Sequence, residues 1–319
     1  MSVHEKNHPL VSVIVLTYNS EQFIGNCLAA LAASMYKPFE VIVPDNASRD
    51  NTIGVASEAC SRLGLNARII PLATNEGCAG GNNRGAEHAA GEVLVFLNPD
   101  TEVDPDFLEH LVAPLWVDHS IGITGAKMFY PGRKIIQHAG GLVTPIGHTS
   151  HIGAHLPDDG RYDQQRDVDY VTGAGFAIRR ELFAALEGLD EEYYPAYFEE
   201  TDMCYRARAA GYRITYVPSA VLIHHESVSL GIDSKSFVRM FMVMRIRYCI
   251  KNFPVKTMLF RFPLGELRWL LTYGVQRRQV LATIRAYLLN VGFLARKLAG
   301  VRRAKRQKQI LTAQIALNQ

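Results

Sequence analysis

The feature that most constrains the fold of this 319-residue chain is a regular alternation of strand-like and helix-like segments over its first hundred residues. Between the apolar runs lie segments with helical spacing, beginning after Ser20, after Asp50 or Asn51, and over residues 82–90. Such alternation predicts right-handed crossovers and a mostly parallel, Rossmann-like sheet flanked by helices, which is an α/β fold. The runs that we predict to be buried strands are 11–16 (VSVIVL), 39–43, 67–72 and 93–97.

Polar residues follow three of these strands directly. In parallel sheets ligands bind at the carboxyl ends of the strands, so Thr17, Asn19 and Asp45 are candidate ligand-binding residues. Asn98 and Asp100, in Asn-Pro-Asp after the fourth strand, can present an oxygen to a divalent cation beside a diphosphate. The same tripeptide is also common turn chemistry, and the segment after Asp45 also suits a loop with a helix cap.

Residues 75–85 (NEGCAGGNNRG) are rich in Gly and Asn and precede the third predicted helix. The pattern predicts a loop whose backbone, together with the helix N-terminus, approaches a phosphate or a sugar. The candidate ligand-binding residues here are Asn75, Gly77, Gly81 and Asn82.

The second half of this region offers candidate acids and histidines. Residues 121–170 suggest short strands and loops, 181–186 and 198–210 suggest helices, and 213–223 suggest a strand. Glu199, Glu200 and Asp202 fall in the first helical turn, where acids complement the helix dipole and Asp202 can pair with Arg206. An acid in that position, facing a cleft, also suits a general base. A histidine pair, His224 and His225, follows the last strand and can supply metal ligands.

Charge divides the chain into two parts. Residues 238–319 carry 17 Lys and Arg against one acid, Glu266, whereas residues 1–237 carry 17 against 30 acids, giving about +16 and −13. We therefore expect a catalytic domain over 1–233 and a basic, amphipathic, helical extension over 234–319. The extension is either a solvated helical cap or a surface that binds anionic lipid. Binding to nucleic acid is disfavoured because few aromatic residues interleave with the basic ones.

The cysteines indicate a reducing compartment. The five cysteines are odd in number and scattered, with no CxxC pair, which argues against disulfides and structural zinc. The polar N-terminus and the lack of a long apolar segment predict a cytoplasmic protein, either free or peripheral on the inner face of the cytoplasmic membrane.

Taken in order, the motifs resemble those of glycosyltransferase family two, which has a GT-A-type fold. The resemblance covers about residues 10–230 and is closest to the rhamnosyltransferase-like enzymes of bacterial polysaccharide assembly. The segments that carry it are VSVIVLTYN, VPDNASRD, NEGCAGGNNRG, LNPD, GAGF, FEETD and the pair HH.

The resemblance implies an inverting transferase that moves a sugar, rhamnose being one candidate, from a nucleotide-diphosphate donor to a glycan or lipid-linked acceptor. Thr17, Asn19 and Asp45 would bind the nucleoside. Asn98 and Asp100 stand where the family has its Asp-x-Asp motif for Mg²⁺ or Mn²⁺, and either His225 or His224 matches a metal-binding histidine.

The resemblance also assigns the catalytic and acceptor-binding residues. Glu200 takes the position of the catalytic base in the family's Glu-Asp-x-Asp motif, with Asp202 as the second catalytic acid. Gly173, Ala174 and Gly175 would contact the acceptor. Two departures, Asn98 for an acid and Glu200 for Asp, keep open an inactive protein that binds nucleotide sugars. A nucleotidyltransferase, which can use a similar α/β sheet and metal, is the other alternative. The sequence also leaves open the donor, the acceptor and whether the chain forms a homo-oligomer.

Overall fold

The computed structural model describes residues 8–226, 235–272 and 280–295. The chain divides into two compact units. The first consists of residues 1–143 and 149–227, and the second of residues 144–148 and 228–319. Predictions for residues 296–319 lie outside the described residues.

The first unit is built from strands and helices that alternate over its first hundred residues. Its strands are β1 (Val11–Val15), β2 (Phe39–Asp45), β3 (Ala67–Pro71), β4 (Val93–Leu97), β5 (Thr101–Val103), β6 (Ile121–Phe129), β7 (Ile136–His138), β8 (Gly141–Val143), β9 (Thr149–His151), β10 (Arg166–Asp167), β11 (Gly175–Arg179) and β12 (Arg213–His224). Its helices are α1 (Ile24–Ala32), α2 (Thr52–Leu63), α3 (Gly77–Glu87), α4 (Phe107–Val117), α5 (Arg180–Ala185) and α6 (Glu199–Ala209).

The main sheet has the order β10-β12-β6-β11-β4-β1-β2-β3. The run β4-β1-β2-β3 is parallel, as the strand-helix alternation predicts. Beyond it, β11 lies antiparallel to both β4 and β6, while β12 is parallel to β6, so the complete sheet is mixed. The prediction of an α/β sheet flanked by helices is confirmed, and its second half departs from parallel order because β11 enters as an antiparallel strand.

The core lies on both faces of this sheet because strand side chains alternate between faces. Val11, Val13 and Val15 of β1 pack with residues of α1, α2 and α4 on one face. Ile14 belongs to the cluster on the other face, with residues of α3, α5 and α6. The helices thus form two layers, and the carboxyl ends of the central strands stay available for a site.

The third helix begins earlier than the sequence predicts. α3 starts at Gly77, so Gly81 and Asn82 are helical and the predicted Gly/Asn loop ahead of the helix was wrong. The reason is close packing: a Cβ built at Gly81 would lie 2.4 Å from Leu16 Cδ1, and one at Gly85 would lie 2.6 Å from Ile14 Cγ2. The glycines therefore let a helix lie directly against the sheet.

The second unit is helical in its described part. It contains α7 (Lys235–Asn252), a π-helical turn (Thr257–Arg261), α8 (Phe262–Thr272) and a helical segment over 280–295. Residues 144–148 belong to it through contacts such as the hydrogen bond from Arg245 to the Ile146 carbonyl. In the part of the chain that the structure describes, no helix is both long and apolar enough to cross a membrane.

Candidate functional site

The loops after β1 and β2 are joined by a buried carboxylate. Asp45 Oδ1 accepts hydrogen bonds from the hydroxyls of Thr17 (2.8 Å) and Ser48 (2.6 Å), and its Oδ2 accepts one from Ser48 N (2.9 Å). Asn19 Oδ1 accepts a hydrogen bond from Arg49 N. The structure therefore brings Thr17, Asn19 and Asp45 together, and Asp45 fixes the shape of the two loops.

The N-terminus of α3 lies beside these loops. The Asn46 side chain donates to Gly77 O (2.9 Å) and accepts from Glu76 N (2.9 Å), while Asn75 Oδ1 accepts from Gly77 N (2.9 Å). Gly77 has a φ of +76°, and a Cβ there would lie 2.8 Å from Pro195 O, so both backbone conformation and space require glycine. Asn75 and Gly77 thus form the helix start.

Gly81 and Asn82 lie deeper in α3. Gly81 faces Leu16 of the sheet, and the Asn82 side chain donates to Cys78 O within the helix (3.0 Å). Of the four residues predicted in this segment, two lie at the helix N-terminus and two lie inside the helix.

Asn98, Asp100 and His224 meet after β4. His224 Nε2 lies 3.3 Å from Asp100 Oδ1 and 3.4 Å from Asn98 Nδ2. β5 brings them together because Thr101 pairs with His224 in the antiparallel β5–β12 ladder. The turn itself is closed by the Thr101 hydroxyl, which donates to Asn98 O at 2.7 Å.

Two further residues orient the His224 imidazole. Its Nδ1 lies 2.8 Å from Gln137 Oε1, and Gln137 Nε2 donates to Glu226 Oε2 at 3.3 Å. Because the amide NH₂ of Gln137 donates to Glu226, the amide oxygen of Gln137 faces His224 and accepts a hydrogen bond from its Nδ1–H. The Nε2 lone pair of His224 is then directed toward Asp100, which is the arrangement of a metal-ligating histidine with an outer hydrogen bond.

His225 faces a different group. Its Nε2 lies 2.8 Å from Glu102 Oε1, and its ring lies 6.2 Å from the Phe23 ring. The backbone N–H of His225 donates to Asp100 O (2.9 Å), so the residue holds the acidic turn through its main chain. A cavity of about 160 Å³ lies here, lined by Gln22, Phe23, Asn26, Asp100, Thr101, Glu102 and His225. The two histidine rings therefore contact different acids, His224 contacting Asp100 and His225 contacting Glu102.

The Asn98–Asp100–His224 cluster suits a cation that is shared with a phosphate ligand. Within the described ranges no group of three or more His, Cys, Asp and Glu side chains could hold a metal ion alone. One carboxylate and one imidazole are nevertheless suitable donors for Mg²⁺ or Mn²⁺, which usually take remaining ligands from phosphate and water. Asn98, whose Nδ2 faces His224, would add its amide oxygen after a rotation of the side-chain amide. The residues present therefore fit a metal that binds together with a diphosphate.

The predicted acceptor segment lies next to this cluster. Ala174 O accepts a hydrogen bond from Asn98 N (3.2 Å), and Gly175 pairs with Leu97 at the end of β4. No heavy atom lies within 4 Å of a Cβ built at Gly173, so open space adjoins this segment.

The acidic motif begins α6 after an unusual backbone turn. Tyr197 and Phe198 both have positive φ (79° and 74°), which is rare for residues with side chains and concentrates at functional sites. Glu199 and Glu200 are largely buried, and burial raises the pKa of Glu200 to about 7. Burial and the Glu200 charge hold the pKa of Glu199 well above its ordinary value. A carboxyl group that titrates near neutral pH suits proton transfer.

Asp202 has different surroundings. Its side chain is fully buried, with Oδ2 2.7 Å from Arg206 Nε and Oδ1 accepting from the Tyr193 hydroxyl at 3.1 Å. Arg206 also donates to the carbonyls of Leu186 and Gly188. The predicted i,i+4 pair of Asp202 with Arg206 is therefore present, and it ties the start of α6 to the segment after α5.

Three residues near the site were missed by sequence reasoning: Gln137, Tyr197 and Glu226. Gln137 lies in β7, inside the stretch that the sequence describes only as short strands and loops. Burial raises the pKa of Tyr197, and the charges of Glu199, Glu200 and Glu226 add to this effect, so the tyrosine lies near both the acidic motif and the end of β12. Of the three residues, only Glu226 could have been suspected from the sequence, because it directly follows the histidine pair.

Fold and site together define a GT-A-type architecture, with ligand-binding loops after parallel strands and an acidic turn after the fourth. The family model for glycosyl transferase family 2 matches residues 12–186, which is more than half of the chain. The chain belongs to this family.

Its relatives include an O-antigen biosynthesis protein and a rhamnosyltransferase. The chain is 34% identical over 234 residues to protein y4gI of Sinorhizobium fredii and 31% identical over 237 residues to the O-antigen biosynthesis protein RfbC of Myxococcus xanthus, covering 70% and 71% of this chain. It spans only 25% and 18% of the length of those two proteins. It is 26% identical over 251 residues to the N-acetylglucosaminyl-diphospho-decaprenol L-rhamnosyltransferase of Mycobacterium tuberculosis, covering 71% of this chain and 80% of the relative.

A solved structure shares the fold. The mannosyltransferase PcManGT of Pyrobaculum calidifontis, in complex with GDP-Man and Mn²⁺, superposes with a TM-score of 0.60 at 18% identity. The match covers 94% of this chain and 81% of the mannosyltransferase. The GT-A-type fold predicted from the sequence is confirmed.

Proposed function

We propose that this chain is an inverting, metal-dependent glycosyltransferase of bacterial cell-surface polysaccharide synthesis. The observation that carries the proposal is the placement of Asp100 and His224 at the carboxyl end of the sheet, beside the Gly173–Gly175 segment. The proposed donor is a nucleotide-diphosphate sugar, and the relative named as a rhamnosyltransferase supports rhamnose as a candidate. The name of that relative's acceptor, a diphospho-decaprenol, supports a lipid-linked glycan as the acceptor class.

The donor is held by residues of three segments. The loops that Asp45 joins to Thr17 and Asn19 bind the nucleoside, and the backbone at Asn75 and Gly77 lies at a helix N-terminus, where anionic groups are favoured. Asp100, His224 and Asn98 would hold Mg²⁺ or Mn²⁺, as the Mn²⁺ complex of the mannosyltransferase supports. Such an ion would neutralise charge on the departing diphosphate.

The acceptor hydroxyl is deprotonated by Glu200. The hydroxyl proton passes to the Glu200 carboxylate while its oxygen bonds to the anomeric carbon, and the bond from that carbon to the diphosphate oxygen breaks. Attack from the face opposite the leaving diphosphate inverts the anomeric configuration. Asp202 acts as a positioning residue, since its carboxylate is taken by Arg206 and Tyr193.

Replacing Glu200 by Gln tests the base directly. We expect Glu200→Gln to fold and bind donor normally but to lose about 10²–10⁴-fold in kcat. Glu181→Gln is the matched control, because Glu181 also lies in the first turn of a helix but its side chain is 82% exposed. Turnover of Glu200→Gln near that of the wild type removes Glu200 from the role.

The products separate the proposal from its alternatives. A glycosyltransferase releases a nucleoside diphosphate, whereas a nucleotidyltransferase releases pyrophosphate. A panel of nucleotide sugars, screened by thermal shift with and without Mn²⁺, first identifies the donor. Donor binding with no sugar transfer or donor hydrolysis, in the presence of metal and lipid-linked acceptors, would indicate a protein that only binds nucleotide sugars.

We also propose that residues 238–319 bind an anionic membrane surface, which keeps the enzyme where a lipid-linked acceptor resides. The presence of 17 Lys and Arg against one acid in these residues supports this.

A further inference from the structure

The second unit exposes far more apolar surface than the first. Among the described residues, thirteen of the twenty large apolar side chains that are exposed lie between 255 and 294. A soluble domain rarely leaves contiguous apolar patches uncovered, and such patches mark surfaces that bind another molecule. The clustering of exposed apolar side chains in this unit therefore indicates a surface that binds another molecule.

The exposed side chains near α8 form a stripe. Phe260, Leu264, Leu267 and Leu271 recur at intervals of four, three and four residues, which places them on one helical face. Phe262 and Glu266 are buried, so this helix presents a packed face and an exposed apolar face.

The segment 280–295 repeats this arrangement. Leu281, Ile284, Leu288 and Val291 recur at helical spacing and are 53–70% exposed. Ala282, Ala286, Asn290 and Phe293 are buried on the other side. Two helical segments of the same unit thus each carry an apolar stripe that none of the described residues of the unit covers.

The positive charge of the second unit indicates which kind of molecule binds this apolar surface. Arg261, Arg268 and Arg285 are exposed beside the stripes. The one acid between 238 and 319, Glu266, is buried, with its oxygens 2.6 and 3.0 Å from Arg245 and a further hydrogen bond from the Tyr287 hydroxyl. No carboxylate of the described extension therefore offsets the exposed arginines. Apolar stripes flanked by cations complement a bilayer interface with anionic lipid headgroups.

We infer that the stripes Phe260–Leu271 and Leu281–Val291 form an in-plane docking surface for an anionic membrane. The leucines enter the boundary between headgroups and acyl chains, and Arg261, Arg268 and Arg285 contact lipid phosphates. The purpose of this surface, access to a lipid-linked acceptor, rests on the proposed function. Binding to the membrane is inferred from the exposed apolar and basic side chains alone.

Vesicle co-sedimentation of the full-length protein tests the inference. We expect binding to vesicles of phosphatidylcholine with phosphatidylglycerol and little binding to phosphatidylcholine alone. Leu264→Gln/Leu267→Gln should weaken binding by about tenfold for each leucine. Arg261→Gln/Arg268→Gln should weaken it by about thirtyfold, an effect that salt reproduces.

The matched control is Met35→Gln/Val117→Gln, which removes exposed apolar side chains from the first unit and should leave vesicle binding unchanged. Because every substituted side chain is exposed, thermal unfolding should be nearly unaffected. Absence of wild-type binding, or equal binding by the leucine variant, overturns the inference. A wild-type dimer in light scattering that the leucine substitutions dissociate, without vesicle binding, would assign the stripes to a second copy instead.

Donor binding and transfer to a water-soluble acceptor analogue are measured in parallel. The leucine and arginine variants should retain both activities at wild-type level. If the wild type binds vesicles but neither it nor any variant transfers sugar, the proposed function alone is refuted. If the wild type transfers sugar but does not bind vesicles, the docking surface alone is refuted.

Discussion

His224 and His225 are neighbours in the chain but contact different groups. His224 Nε2 faces Asp100, and Gln137 and Glu226 fix its orientation, whereas His225 Nε2 is engaged by Glu102. Adjacent residues at the end of a strand point to opposite sides, and of the two rings it is that of His224 that contacts the side chains of Asn98 and Asp100. The structure thus favours His224 as the ligand in the proposed metal site.

The two histidines provide a matched pair of substitutions. We expect His224→Ala to weaken Mn²⁺ binding in the presence of a nucleoside diphosphate by at least about tenfold, because a direct ligand is lost. His225→Ala should change this affinity little. Isothermal titration calorimetry measures both, and equal losses for the two variants would contradict the assignment.

Glu200 should make activity depend on pH near neutrality. As a base it acts when ionised, so kcat should fall below a pH of about 7, where burial places its pKa. The dependence should be a rise through that pH toward a plateau on the alkaline side. A profile that is flat from pH 5.5 to 8.5, with chemistry limiting the rate, would contradict the role of Glu200.

The raised pKa of Glu200 also predicts an effect on stability. A carboxyl whose pKa rises on folding, here from 4.5 to about 7, destabilises the folded state when ionised, and the stability it contributes when neutral is lost as pH rises through that interval. We therefore expect Glu200→Gln to be more stable than the wild type at pH 8, by up to about 3 kcal/mol, and nearly equal at pH 4. Chemical denaturation at the two pH values measures this, and Glu181→Gln should show no such difference.

Sequence alone locates the candidate site residues that lie at or just after the ends of strands. Asp45 and Asp100 are predictable because parallel strands end at one edge of the sheet, so local pattern determines where they lie. Gln137 is not predictable in this way, since it reaches His224 only after β7 pairs with β6 and β12 lies beside β6. Asp202 is ambiguous for another reason: helix spacing predicts its pairing with Arg206 but not its complete burial.

At the scale of elements, α3 shows why composition misled the sequence prediction. Glycine is a poor helix former, so a segment with Gly80, Gly81 and Gly85 suggests a loop. In the fold Gly85 allows the helix to approach Ile14 of β1 and Pro44 of β2, and Gly81 allows it to approach Leu16 and Asn46, which directly follow those strands. Tertiary packing therefore overrides intrinsic propensity here, and a local pattern does not contain the information about the neighbouring strands.

A glycine substitution in α3 tests this packing. Gly85→Ala should destabilise the protein by about 1–3 kcal/mol, because its Cβ would lie 2.6 Å from Ile14 Cγ2 and 3.0 Å from Pro44 Cγ in the sheet. Gly25→Ala in α1 is the matched control: its Cβ meets only Val55 Cγ1 at 3.6 Å, so higher helix propensity should stabilise by up to about 1 kcal/mol. Unfolding midpoints in urea compare the two, and stabilisation by both would refute close packing at Gly85.

At the scale of the whole molecule, the chain combines two compact units with opposite electrostatic character. Residues 1–237 carry the acids of the site, and residues 238–319 carry most of the positive charge. The charge asymmetry is visible in the sequence, but the burial of Glu266 is not. That burial depends on Arg245 of α7, whose side chain is fully enclosed and also donates to Ile146 O.

The Arg245–Glu266 pair should therefore hold the second unit together without affecting the first. Removing one partner leaves a buried charge uncompensated, so Glu266→Gln or Arg245→Met should destabilise the second unit by about 3–5 kcal/mol. The double variant Arg245→Met/Glu266→Met should lose less than the sum, because neither charge is then left alone. Hydrogen exchange followed by mass spectrometry reports each unit separately: protection should fall in α7 and α8 and stay unchanged in β1, β4 and β11. Equal loss of protection in both units would show that they unfold as one, and additive effects in the double variant would show that the two side chains do not act as a pair.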